Sequence, residues 1–130
     1  MGKSENKKKI LVIDDERDVA EQLSINLEAS GYEVETLNKP LKAAETVQAF
    51  KPDAVLLDYR MPKASGAEVL NNIRRLRGFA TTPIIFVSAV VAAGDSAKDP
   101  TEAHGGPMQK PVEIKDLVKR IEAELKAIEE

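Results

Sequence analysis

The chain has no cysteine and no tryptophan, a single histidine, and aromatic residues at only 4% of its 130 positions. Without cysteine, disulfide frameworks, thiolate zinc sites and cysteine nucleophiles are excluded together, and the composition suits a reducing compartment. His104 has no second histidine or cysteine beside it, so it reads as a surface loop residue rather than a metal ligand. Long hydrophobic runs are missing as well. Stretches such as Ile10 to Ile13 and Val55 to Leu57 fall far below the ~18 apolar residues a membrane span needs. Nor does a basic region followed by an apolar run and a cleavage site mark the N-terminus as a secretory signal. A soluble, cytoplasmic protein without membrane contact is expected. Excess positive charge is also absent: the formal net charge is -3 and the isoelectric point about 5.3. This balance argues against a nucleic-acid partner, whose footprint is a concentrated basic face. The one basic run, Lys7-Lys8-Lys9, stands directly before a strand and reads as a solvated edge.

What is present is an alternation of short apolar runs with helical periodicity from one end to the other, in a length that suits one globular domain. Strands are expected at Lys9 to Ile13, Glu33 to Leu37, Ala54 to Leu57 and Ile84 to Val87, with a weak one at Met108-Gln109. Three of these are nearly continuous apolar runs, the pattern of parallel strands covered on both faces. The second alternates in polarity and reads as an edge. Val19, Leu23 and Leu27 place apolar groups on one face of a first helix, which Gly31 ends. Pro40 with Leu41, Ala44 and Val47 marks a second helix, stopped before Lys51-Pro52. Val69, Leu70, Ile73 and Leu76 predict a third, closing near Gly78. Ile114, Leu117, Val118, Ile121, Leu125 and Ile128 form the amphipathic stripe of the last.

The fourth connection breaks the rhythm. From Val90 to Pro107 it carries Gly94, Pro100, Gly105 and Gly106 with no apolar stripe. An interior proline costs about 3 kcal/mol of helix and each glycine about 1, so a short or broken fourth helix in a mobile loop is expected. Residues 1–7 read as a disordered tail and 8–130 as the folded domain. Gly105-Gly106 matches no dinucleotide fingerprint or phosphate-binding loop.

In an open parallel sheet, ligands sit beyond the carboxyl ends of the strands. There the sequence places Asp14-Asp15 after the first strand, Asp58 after the third, Ser88 after the fourth and Lys110 after the fifth. Singly, each has a plain explanation as a cap, a turn residue or a solvated charge. Jointly they put three carboxylates, a hydroxyl and an ammonium on one rim. Two carboxylates ~4 Å apart repel by about 4 kcal/mol at an effective dielectric near 20, so such a cluster asks for a cation. Oxygen donors without His or Cys suit Mg2+ rather than Zn2+. A carboxylate beside a bound cation can also attack phosphorus.

These residues resemble the receiver domain of two-component response regulators. The resemblance runs from Lys8 to Ile128 and rests on Asp14-Asp15, Lys51-Pro52-Asp53 leading into Leu56-Leu57-Asp58, Tyr59-Arg60-Met61-Pro62 with Gly66, Ser88-Ala89 and Lys110-Pro111. It implies an α/β, flavodoxin-like fold of five βα units, with a parallel sheet of strand order 2-1-3-4-5. It further implies that Asp58 is the phosphoacceptor and that Asp14, Asp15, Asp58 and the backbone carbonyl of Arg60 hold Mg2+. Ser88 and Lys110 would bind the phosphoryl group, and the Lys110-Pro111 bond would be cis. The implied partners are a sensor histidine kinase or phosphotransfer protein as donor and a downstream protein as target. Such a domain assists its own phosphorylation and dephosphorylation but is not an enzyme.

One departure bears on output. Receivers usually carry an aromatic residue three positions before the motif lysine, and here that position is Pro107. An order–disorder response of the Val90 to Pro107 segment is expected instead. Pro107 also leaves open a receiver-fold binding module that signals without phosphorylation. A phosphatase of the haloacid-dehalogenase type fits less well: it needs its nucleophile after the first strand and a second Asp two positions on, and residue 16 is Glu. Because the chain ends with the last helix, no output domain is expected within it.

Overall fold

The computed structural model describes residues 7–58, 66–88, 108–109 and 113–129. Residues 1–6 of the expected 1–7 tail, the fourth connection with His104 and Pro107, and the Lys110-Pro111 bond lie outside them. In chain order the elements are β1 (Lys9–Ile13), α1 (Arg17–Ala29), β2 (Glu33–Leu37), a 3-10 turn (Pro40–Lys42), α2 (Ala43–Phe50), β3 (Ala54–Asp58), α3 (Gly66–Arg74), β4 (Ile84–Ser88), β5 (Met108–Gln109) and α4 (Ile114–Glu129). The fold is the expected flavodoxin-like α/β architecture: a parallel sheet of five strands in the order β2-β1-β3-β4-β5.

Alternation along the central strands sends consecutive side chains to opposite faces, and both faces are buried. Ile10, Val12, Ala54, Leu56, Ile85 and Val87 meet Leu23 and Leu27 of α1 and Leu117 and Ile121 of α4. Leu11, Ile13, Val55, Leu57, Ile84 and Phe86 meet Val47 of α2 and Val69, Leu70 and Ile73 of α3. Each fully buried Ile, Leu or Phe contributes about 1.5–3 kcal/mol, so the sheet is held from two sides. Among the described residues β2 has one strand neighbour, β1, and its Glu33 and Glu35 are exposed. Among the described residues, no helix is long and apolar enough to cross a membrane.

Helix ends show how local chemistry sets these bounds. Gly31 takes φ 105° after α1, while the amide of Tyr32 donates to Leu27 O and that of Gly31 to Glu28 O, both at 3.1 Å. This paired closure needs a left-handed residue, which glycine adopts without steric cost. Lys51 does the same work after α2 at φ 56°, its amide donating to Val47 O at 2.8 Å, and Pro52 beyond it has no N–H with which to continue the helix. Helix α3 ends at Arg74, short of the expected closure near Gly78. The Arg74 guanidinium turns into the following loop and donates to Phe79 O at 3.2 Å and to Thr82 O. Leu76 still packs against the α2–α3 core from outside the helix.

Candidate functional site

Strands β1 and β3 are neighbours in register, with Ile13 opposite Leu57. The residues that follow therefore emerge at the same end of the sheet: Asp14 and Asp15 from β1, and Asp58 as the last residue of β3. One carboxylate oxygen from each of the three lies within 4.8 Å of the others. Asp14 and Asp58 are buried, at 2% and 6% exposure, and Asp15 is half-buried.

The surrounding backbone fixes this corner. The Asp14 amide donates to Leu37 O at 3.0 Å, carrying the β1–β2 ladder to the rim. Its Oδ1 accepts from the Glu16 amide at 2.9 Å, at the start of α1, where the helix dipole favours negative charge. At an effective dielectric near 20, two unit charges at such a separation still repel by about 3–4 kcal/mol. Three converging oxygen donors, with no nitrogen or sulfur ligand among them, fit a hard divalent cation such as Mg2+.

Ser88 ends β4, one residue beyond the Asp58–Val87 pairing, and it pairs with Gln109 of β5. Its backbone therefore reaches the acidic end of the sheet, and Gln109 directly precedes Lys110 in the chain. Arg60, Lys110 and the Tyr59-Met61-Pro62 stretch lie outside the described residues, so of the expected site the structure brings together Asp14, Asp15 and Asp58. Gly66 opens α3 and is buried.

A cavity of about 320 Å³ lies beside this corner, lined by Arg17, Ala20 and Glu21 of α1 and by Thr36 and Asn38 at the end of β2. No motif pointed to it. It forms where the small Ala20 side chain meets an edge strand, a pairing no local pattern encodes.

The family model of the response regulator receiver domain matches residues 10–122. The chain is 33% identical over 122 residues to the alkaline phosphatase synthesis transcriptional regulatory protein PhoP of Bacillus subtilis, covering 94% of this chain and 50% of that protein. It is 28% identical over 118 residues to the DNA-binding dual master transcriptional regulator RpaA of Synechocystis, covering 91% of this chain and 49% of that protein. It thus spans about half the length of these curated relatives. Among solved structures, a CheY-like response regulator receiver domain protein of Methanospirillum hungatei superposes with a TM-score of 0.80 at 25% identity, covering 95% of this chain and 98% of that one.

Proposed function

The chain belongs to the response regulator receiver domain family, and from this we propose that Asp58 accepts a phosphoryl group from the phosphohistidine of a sensor histidine kinase or phosphotransfer protein. Receiver domains are signalling parts of two-component systems, and residues 8–130 form one here. The convergence of Asp14, Asp15 and Asp58 within 4.8 Å carries the reading. A carboxylate oxygen of Asp58 attacks phosphorus, the N–P bond of the donor breaks, and an acyl phosphate forms as the imidazole leaves. Asp14, Asp15, Asp58 and the Arg60 carbonyl would hold Mg2+, which would supply positive charge against the phosphoryl oxygens. The Ser88 hydroxyl donates to the transferred group and the Lys110 ammonium balances its charge. The added charge then switches binding of a downstream protein. The setting is cytoplasmic, and the partners in this reading are proteins rather than nucleic acid or membrane.

Incubation with acetyl phosphate and Mg2+, followed by intact mass measurement, tests this. One phosphoryl increment is expected on the wild type and none on Asp58→Ala. An unmodified wild type would favour a binding module that signals without phosphorylation.

A further inference from the structure

The run Lys7-Lys8-Lys9 reads as a solvated edge in the sequence, but the fold gives it company. Strands β1, β3 and β4 are adjacent and parallel, so the segments entering them meet at the end of the sheet opposite Asp14, Asp15 and Asp58. Those segments carry Lys7 and Lys8 before β1, Lys51 before β3, and Arg75 and Arg77 before β4. Hydrogen bonds hold the three entries together: Asp53 N donates to Lys9 O at 2.7 Å, Lys9 N to the Asp53 side chain at Oδ2 across 2.8 Å, and Val55 N to Pro83 O at 2.9 Å. Lys7, Lys51, Arg75 and Arg77 are exposed. Between them Phe50 and Phe79 are only half-buried against the α2–α3 core. Lys9 is committed to this surface, with Nζ donating to Phe50 O at 3.3 Å and standing 5.5 Å over the Phe50 ring.

Among the described residues, acids at this end are few on the α2–α3 side. Asp53 is engaged with the Lys9 amide, while Glu28, Glu33 and Glu122 lie toward α1, β2 and α4. Helix C-termini attract cations, which accounts for charge at the ends of α2 and α3 but not for Lys7, which sits on no helix. In a chain of net charge -3, the result is a local basic surface with an apolar centre. A duplex or a membrane would extend from it toward Glu28, Glu33 and Glu122. A short chain would not, because charges beyond a Debye length of about 8 Å are largely screened.

We propose that this strand-entry face, built by Lys7, Lys51, Arg75 and Arg77 around Phe50 and Phe79, docks a short acidic segment of a partner protein that carries an apolar anchor residue. The face is remote from the phosphoryl site, so docking proceeds whether or not Asp58 is modified.

The probe is a fluorescein-labelled peptide of glutamates flanking one leucine, titrated with the full chain and followed by fluorescence anisotropy without any phosphodonor. Saturable, salt-sensitive binding is expected. Arg75→Glu/Arg77→Glu should weaken it by about tenfold or more, equivalent to about 1.4 kcal/mol. Lys115→Glu/Lys119→Glu makes the same charge change on exposed α4 positions and should leave binding within about twofold. Arg75→Gln/Arg77→Gln, with thermal unfolding checked by circular dichroism, should weaken binding while keeping the fold. The proposal is overturned if binding is not saturable, if both charge-reversed pairs weaken it equally, or if a short DNA duplex or phosphatidylserine vesicles bind more tightly than the peptide. None of these outcomes depends on whether Asp58 accepts phosphate.

Discussion

The backbone amide of Glu16 donates to Oδ1 of Asp14 across 2.9 Å, so one oxygen of the most buried acid in the cluster is anchored to the start of α1. Asp15 is half-buried, and it is the acid whose replacement changes local charge with least disturbance of that turn.

Millimolar Mg2+ should raise the melting temperature of the wild type, because a cation that binds only the native state stabilises it by mass action. Asp15→Asn removes one charge and one of the three converging carboxylates. Without the ion its melting temperature should equal or exceed that of the wild type, and with it the rise should be smaller. Differential scanning calorimetry with and without Mg2+ reads both effects. An equal rise in the two proteins would place the ion elsewhere.

Stability should fall at alkaline pH through Tyr32. Burial, and secondarily the nearby charge of Glu122, push its phenol above the ordinary value of 10.0. Above pH 10 the unfolded chain releases this proton more readily than the native one, so the contribution is complete below that pH and declines as pH rises toward the native value. Tyr32→Phe should flatten the alkaline limb of a urea-denaturation series while leaving its slope near neutrality unchanged.

Arg74 ties the end of α3 to the loop before β4 through Phe79 O and Thr82 O. Burial pulls its guanidinium below the ordinary value, so those carbonyls are its compensation for lost water. Arg74→Ala should cost about 1.5–3 kcal/mol in denaturant unfolding, the range for hydrogen bonds to charged groups. Because this loop lies at the end of the sheet opposite the acids, Mg2+ affinity measured on the folded variant should be unaltered.

Lys51 holds φ 56° with an ordinary side chain. Lys51→Gly should therefore raise stability by up to about 1 kcal/mol, since a left-handed L-residue carries a penalty of that order and glycine does not. Chemical denaturation should show a higher midpoint with the same slope.

Much of the fold was legible because each central strand must bury both faces, which compresses its sequence into an unbroken apolar run bounded by the residue that leaves the sheet. That is why Ile10 to Ile13 pointed to Asp14, and Ala54 to Leu57 to Asp58. The sheet order came from the family resemblance, since spacing alone does not say which strand pairs with which. Features that depend on a partner brought near only by folding were not legible. Glu124 stands one helical turn after Arg120 and accepts from its Nε at 2.8 Å, a local pairing, but its burial to 6% exposure comes from what folding packs around α4. The early end of α3 was hidden for the same reason: the carbonyls that draw Arg74 away belong to a loop with no periodic signal. The basic strand-entry face needed the adjacency of β1, β3 and β4 before its scattered cations could be added together.

Among the described residues no strand pairs with the outer edge of β2, which bears on how the molecule behaves in a crowded solution. An open strand edge is a template onto which an identical strand can stack, and repeated stacking leads to fibrils. In this chain an in-register parallel match between two copies would set Glu33 against Glu33 and Glu35 against Glu35, and like charges directly opposite one another repel. The strand closest to being a seed for aggregation thus carries its own deterrent.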